Sequence, residues 1–146
     1  MLSLAHTIIS LPFGLLPQNP WLIFLLAFLF HLVLDGLLHW NIYPPQHNRF
    51  PFFLIGLDIT LGLLASFILL GDQFFTLPVL SAILGGNIPD ILQSFWSFTG
   101  KPTKGWWRYI YPLFHFHDKI QWETTNIPLG LVSQIILISI VITNII

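Results

Sequence analysis

The chain contains no cysteine. Disulfides and thiolate metal ligands are therefore excluded, and the redox compartment is left open. Charge is nearly as scarce. Asp, Glu, Lys and Arg make up 8% of the 146 residues, where soluble domains carry about a quarter. That deficit excludes an ordinary soluble domain. The net charge is −1 and no basic run forms a binding arm, so nucleic acid is not an expected partner. Met1–Ser10 lacks the basic start of a secretory signal and reads as a retained membrane segment. No internal repeat is visible, and no Ser or Thr has His and acid partners at a spacing that suggests a nucleophile.

What the chain has instead is apolar length: 55% of its residues are hydrophobic, and its mean hydropathy is +0.79. About 20 apolar residues cover the hydrocarbon core of a bilayer. Trp21–Tyr43, closed by Pro44-Pro45, meets that length, and so do Phe52–Leu70, ended by Gly71-Asp72, and Ile127–Ile146. Phe74–Phe98 is a further span, broken at Gly85-Gly86 and Pro89. Leu2–Leu16 is short and contains Pro12, so it either spans with a kink or enters one leaflet. The expected fold is one all-α, polytopic membrane domain over residues 1–146, with about five membrane segments.

With five crossings, loops 44–51 and 99–124 share a side of the membrane. Together they hold Arg49, Lys101, Lys104, Arg108 and Lys119, all five basic residues of the chain. The positive-inside rule places that side in the cytoplasm.

Against this apolar background, His31, Asp35 and His39 recur at four-residue intervals, a spacing that stacks side chains on one helix face. Ionisable groups at membrane depth are costly and face a cavity, a partner or an ion. His6, Asp58 and Asp90 fall at a similar depth near the cytoplasmic side, and His115 and His117 sit in the long loop that can fold over it. Imidazoles and carboxylates without sulfur suit zinc, manganese or iron. On one continuous helix, His31 and His39 stand about 12 Å apart along the axis, too far for one ion. Asp35 can then bridge two ions, or His31 can support a ligand instead of being one. His6, His31, Asp35, His39, Asp58, Asp90 and His117 are the candidate ligands, enough for two or more divalent ions. Either Asp58 or Asp90 can alternatively serve as the general base for an activated water.

Plainer roles stand beside these. His31 can be a hydrogen-bonded packing residue, and Asp90 can cap a helix restarting after Pro89. His47 reads as solvent-facing loop polarity, and His115 and His117 can belong to an interfacial aromatic segment. Lys101, Lys104 and Arg108 lie among Trp and Tyr residues that read first as a headgroup-level anchor and second as a grip on a lipid phosphate. Gln134 and Asn144 read as helix-packing contacts.

The early His6, the run Phe30-His-Leu-Val-Leu-Asp-Gly-Leu-Leu-His-Trp40 and Gly85-Gly-Asn-Ile-Pro-Asp90 resemble elements of the membrane-bound metal-dependent hydrolases. That group includes the LexA-regulated inner-membrane proteins of bacteria and is distantly similar to zinc-dependent phospholipase C. In it, Ile88-Pro-Asp90 is similar to a Leu-Pro-Asp motif, His31-x-x-x-Asp35 to a His-x-x-x-Asp helix, and Phe116-His-Asp-Lys-Ile-Gln-Trp122 to a histidine-rich motif. The resemblance implies hydrolysis of a phosphoester, with a membrane lipid or lipid-linked molecule as substrate. The chain also resembles a small membrane-protein family of candidate-phylum bacteria, a likeness that implies no specific activity. The competing expectation is a transporter or channel for protons or divalent ions, because intramembrane His/Asp chains and broken spans serve such paths too. A homo-oligomer would supply such a path at its interface. A metal-stapled structural subunit is a third possibility.

Overall fold

The computed structural model describes residues 1–42 and 51–145. The described residues form six α-helices: α1 (Ser3–Gly14), α2 (Pro20–Asp35), α3 (Pro51–Leu70), α4 (Leu77–Phe98), α5 (Trp107–Ile120) and α6 (Ile127–Ile145). A 3₁₀ turn over Gly71–Phe75 joins α3 to α4. Pro44-Pro45, His47 and Arg49 lie outside the described residues.

The all-helical expectation holds, and two helical stretches, Phe53–Phe75 and Ile127–Ile145, are long and apolar enough to cross a membrane. Their outer faces are consistent with that: Leu57, Leu61, Leu64 and Ile68 on α3, and Ile135, Ile136 and Ile140 on α6, are all exposed. Exposed apolar area on this scale marks a surface that meets lipid or a partner.

α1 is different. It is 12 residues long, about 18 Å at helical rise, too short to cross. Its residues from Ala5 to Leu11 are buried, and it packs against α2, α3, α4 and α6. The polar groups of its middle make that enclosure favourable. Asn87 on α4 donates to the Thr7 hydroxyl at 3.0 Å, and the Ser10 hydroxyl donates to the Thr7 carbonyl at 2.9 Å. The close approach depends on missing side chains. A Cβ on Gly62 of α3 would sit 2.9 Å from the Leu4 Cα.

α2 starts where sequence chemistry says it should. The Asn19 side chain accepts from the Trp21 amide at 2.9 Å, and Pro20 at the first helical position has no amide to leave unpaired. Its end overturns an expectation. The helix stops at Asp35, with Gly36 as its C-cap, and does not run on to Tyr43. The next residues find backbone partners elsewhere. The Trp122 amide donates to the Asp35 carbonyl (2.9 Å), the His39 amide to the Trp122 carbonyl (3.0 Å) and the Thr124 amide to the His39 carbonyl (2.9 Å). His39 and Glu123 thereby form an isolated parallel bridge.

α4 corrects a second expectation. It runs unbroken through Gly85, Gly86 and Pro89. Proline inside a helix removes one amide and crowds the carbonyl four residues back. Here that residue is Gly85, whose position against α2 is so tight that a Cβ would lie 2.4 Å from the Phe24 carbonyl oxygen. The glycine pair is a packing surface and not a break. A third difference is α5, which occupies most of the stretch expected to be a loop between 99 and 124. Its Phe114 and His117, three residues apart, are the side chains it buries.

Candidate metal centre

Asp35 ends α2 fully buried, and its two carboxylate oxygens face different neighbours. Oδ2 lies 2.8 Å from His117 Nε2 and 3.1 Å from His31 Nε2. Oδ1 lies 3.1 Å from His6 Nε2 and 3.9 Å from His39 Nε2. The Met1 amino nitrogen also lies 2.9 Å from Oδ1. Asp90 comes from α4, one helical turn past Gly86. Its Oδ1 is 3.7 Å from both His31 and His117, and its Oδ2 is 3.7 Å from His6. Four helices, α1, α2, α4 and α5, thus deliver His or Asp to one buried point.

Local structure sets each ring. His31 Nδ1 donates to the Gly86 carbonyl at 2.8 Å. His39 Nδ1 donates to the Leu37 carbonyl at 2.8 Å. In the neutral ring each of these assignments leaves Nε2 with a bare lone pair. A ring fixed by Nδ1–H on a carbonyl with Nε2 turned inward is how metal-ligating histidines are ordinarily held. His6 and His31 stack with ring centroids 3.9 Å apart.

The donor set fits a divalent ion. His6, His31, Asp35 and Asp90 each offer an atom within 4.8 Å of the others. His117 Nε2 joins them at 3.2 Å from His31 Nε2. Donors on a tetrahedral ion with bonds of about 2.0–2.2 Å stand roughly 3.3–3.6 Å apart, close to the 2.8–3.7 Å separations among His31, His117, Asp35 and Asp90. Lone pairs aimed at a carboxylate repel one another unless a cation or protons sit between them. His39 Nε2 makes that need explicit, being buried without a hydrogen-bond partner among the described residues.

Of the residues singled out in the sequence, His6, His31, Asp35, His39, Asp90 and His117 come together. His39 arrives by the turn after Asp35 and not by helical stacking, so the 12 Å axial argument does not apply to it. Asp58 is drawn elsewhere. Its oxygens accept from the Ser3 amide (2.7 Å) and the Leu4 amide (3.2 Å), the first unpaired donors of α1. His115 is exposed and stacks on Tyr111 at 5.6 Å. Lys101, Lys104 and Arg108 are exposed too. Lys101 pairs with Asp118 at 3.6 Å, and Arg108 lies over the Tyr109 ring at 4.6 Å. Gln134 does pack between helices, accepting from the Leu2 amide (3.0 Å) and donating to the Trp40 carbonyl (2.9 Å).

Two participants escaped sequence reasoning. Gln121 donates to Asp35 Oδ2 at 3.4 Å. Glu123 places Oε1 3.7 Å from His39 Nε2. The available signal was that Glu123 is the only glutamate in the chain, six residues after His117.

No protein-family model, curated protein or solved structure matches this chain. The class the site defines is therefore stated from its chemistry: a helical protein with a buried His/Asp group able to hold a metal ion.

Proposed function

We propose that the chain is a membrane-embedded, metal-dependent hydrolase that cleaves a phosphoester of a lipid or lipid-linked substrate. One observation carries the reading: imidazoles and carboxylates from four helices converge on Asp35 inside an otherwise apolar bundle. His6, His31, Asp35 and His117 would hold the ion, with zinc preferred over manganese or iron for this nitrogen-rich, sulfur-free set. A bound ion of this kind supplies an acidified water and charge stabilisation at a phosphoryl oxygen.

The chain's own residues would do the rest. Asp90 is the carboxylate for proton transfer, because its side chain keeps 22% exposure at the edge of the cluster while Asp58 is spent on α1 amides. His31 and His117 hold Asp35 in place from one side. A small depression of about 10 Å³, lined by Leu32, Pro89, Leu92, Leu113, Phe114 and His117, adjoins the cluster at His117 between α2, α4 and α5. Lys101, Lys104 and Arg108 are proposed to attract the phosphate from the headgroup level. For Lys101 this requires release from Asp118, a cheap step for an exposed pair. The exposed apolar faces of α3 and α6 support an inner-membrane location, and the basic segment 101–119 supports a cytoplasmic opening.

The test is hydrolysis of phosphoester lipids and of a soluble aryl phosphate ester by metal-loaded protein in detergent. Hydrolysis that Asp90→Asn lowers by about 100-fold or more, within the range of acid–base contributions, supports the proposal. Metal-loaded protein that cleaves none of these esters but moves protons or divalent ions across liposomes would establish the transporter instead. The transporter reading has meanwhile lost the broken fourth span on which it leaned.

A further inference from the structure

We infer that His39 and Glu123 form a second cation position that shares Asp35 with the first. The inference rests on the metal-centre reading and names a ligand that it does not include. Three observations support it. His39 is 0% exposed, its Nδ1–H is committed to the Leu37 carbonyl, and its buried Nε2 has no hydrogen-bond partner among the described residues. The same Nε2 has two carboxylates for neighbours, Asp35 Oδ1 at 3.9 Å and Glu123 Oε1 at 3.7 Å. An orphaned buried acceptor beside two anions is unfavourable by itself and becomes favourable around a cation.

The second observation is how firmly the two side chains are placed. The parallel bridge fixes the backbones of His39 and Glu123 against each other. The next residue is locked as well: the Trp40 amide donates to the Gly130 carbonyl at 3.1 Å, where a Cβ on Gly130 would come within 2.4 Å of the Trp40 nitrogen. Asn41 Nδ2 donates to Glu123 Oε1 at 3.4 Å and steers the carboxylate. Backbone structure, and not chance side-chain packing, brings this pair to Asp35.

The third is the division of labour at Asp35. Oδ2 belongs to His31 and His117, whereas Oδ1 faces His6, His39 and the Met1 amino nitrogen. Oδ1 is therefore the atom the two positions share, approached by His6 from the first and by His39 from the second. The second has three protein donors, His39 Nε2, Glu123 and Asp35 Oδ1, and opens toward Glu123, whose side chain is 23% exposed. Three protein ligands with an open side is the arrangement of an exchangeable, water-carrying divalent ion. Two carboxylates and one imidazole make it harder than the histidine-rich first position, so it suits zinc or manganese equally.

The test is metal titration of chelator-stripped, full-length protein in detergent with Zn²⁺ and, separately, Mn²⁺, reading stoichiometry and affinity. The expected result is two ions per chain in the wild type. Glu123→Gln, which keeps the contact with Asn41, and His39→Ala should each weaken the second ion at least 100-fold and leave the first within 3-fold. Two ions bound equally well by wild type and Glu123→Gln would overturn the inference. A single ion indifferent to both substitutions would overturn it and leave the metal-centre reading standing. No ion bound by the wild type would overturn both.

Discussion

Replacing Gly85 with alanine tests whether the helix contact beneath the cluster sets its geometry. The added Cβ would lie 2.4 Å from the Phe24 carbonyl oxygen and 3.1 Å from the Ala27 Cβ. Reaching ordinary van der Waals distance from a backbone oxygen requires α2 and α4 to part by about 1 Å. Neither partner is the flexible end of a side chain, so the helices themselves must move. The hydrogen bond from His31 on α2 to the Gly86 carbonyl on α4 is 2.8 Å. Opened by the same amount it becomes roughly 3.8 Å and ceases to be a hydrogen bond. Overpacking of this kind costs about 1–3 kcal/mol, and loss of a contact that orients a ligand typically weakens metal binding by about 10–100-fold. Gly56→Ala is the control, since a Cβ there meets none of the described residues within 4 Å and alanine is the better helix former. Thermal unfolding in detergent, with and without Zn²⁺, reads both effects. Gly85→Ala should melt on the order of 5–10 °C lower and show weakened Zn²⁺ affinity, with Gly56→Ala unchanged or slightly stabilised. Equal behaviour of the two variants would refute the claim that the α2–α4 contact holds His31 in place.

Asp58→Ala should destabilise the protein by about 1–2 kcal/mol, as removal of an α1 cap does, while metal content stays at the wild-type level; a proportional loss of metal would return Asp58 to the ligand set. His117→Ala should lower metal content, and His115→Ala, two residues away on the exposed face of α5, should leave it intact. Chelation should lower the melting temperature of the wild type, because an ion present at 100 times its dissociation constant stabilises by about 2.7 kcal/mol. Asp35→Asn should show no such response.

The centre of the site was legible because it breaks a local rule. His31 and Asp35 are ionisable residues in an apolar run at helical spacing, and His6, Asp90 and His117 break the same rule on their own segments. His39 was found by the wrong geometry. A helix continuing past Gly36 predicts its side of Asp35 but not the turn that brings it back, because the backbone partners that stop the helix, Trp122 and Thr124, are more than 80 residues away. Glu123 was hidden for the same reason: within Gln121–Asn126 it reads as ordinary loop polarity until pairing with His39 turns it inward. Asp58 misled because its partners are the amides of another helix, a role with no local sequence mark. Gly85 and Gly86 look like a break in one segment and become a close contact only when the opposing backbone is in place.

Metal content of the full chain, purified without chelator, bears most directly on the central claim. The account predicts at least one equivalent of a divalent metal, zinc above manganese or iron, in the wild type and its loss in Asp35→Asn under the same preparation. Wild-type protein that carries no such metal, and whose melting temperature does not rise when zinc, manganese or iron is added, would contradict it.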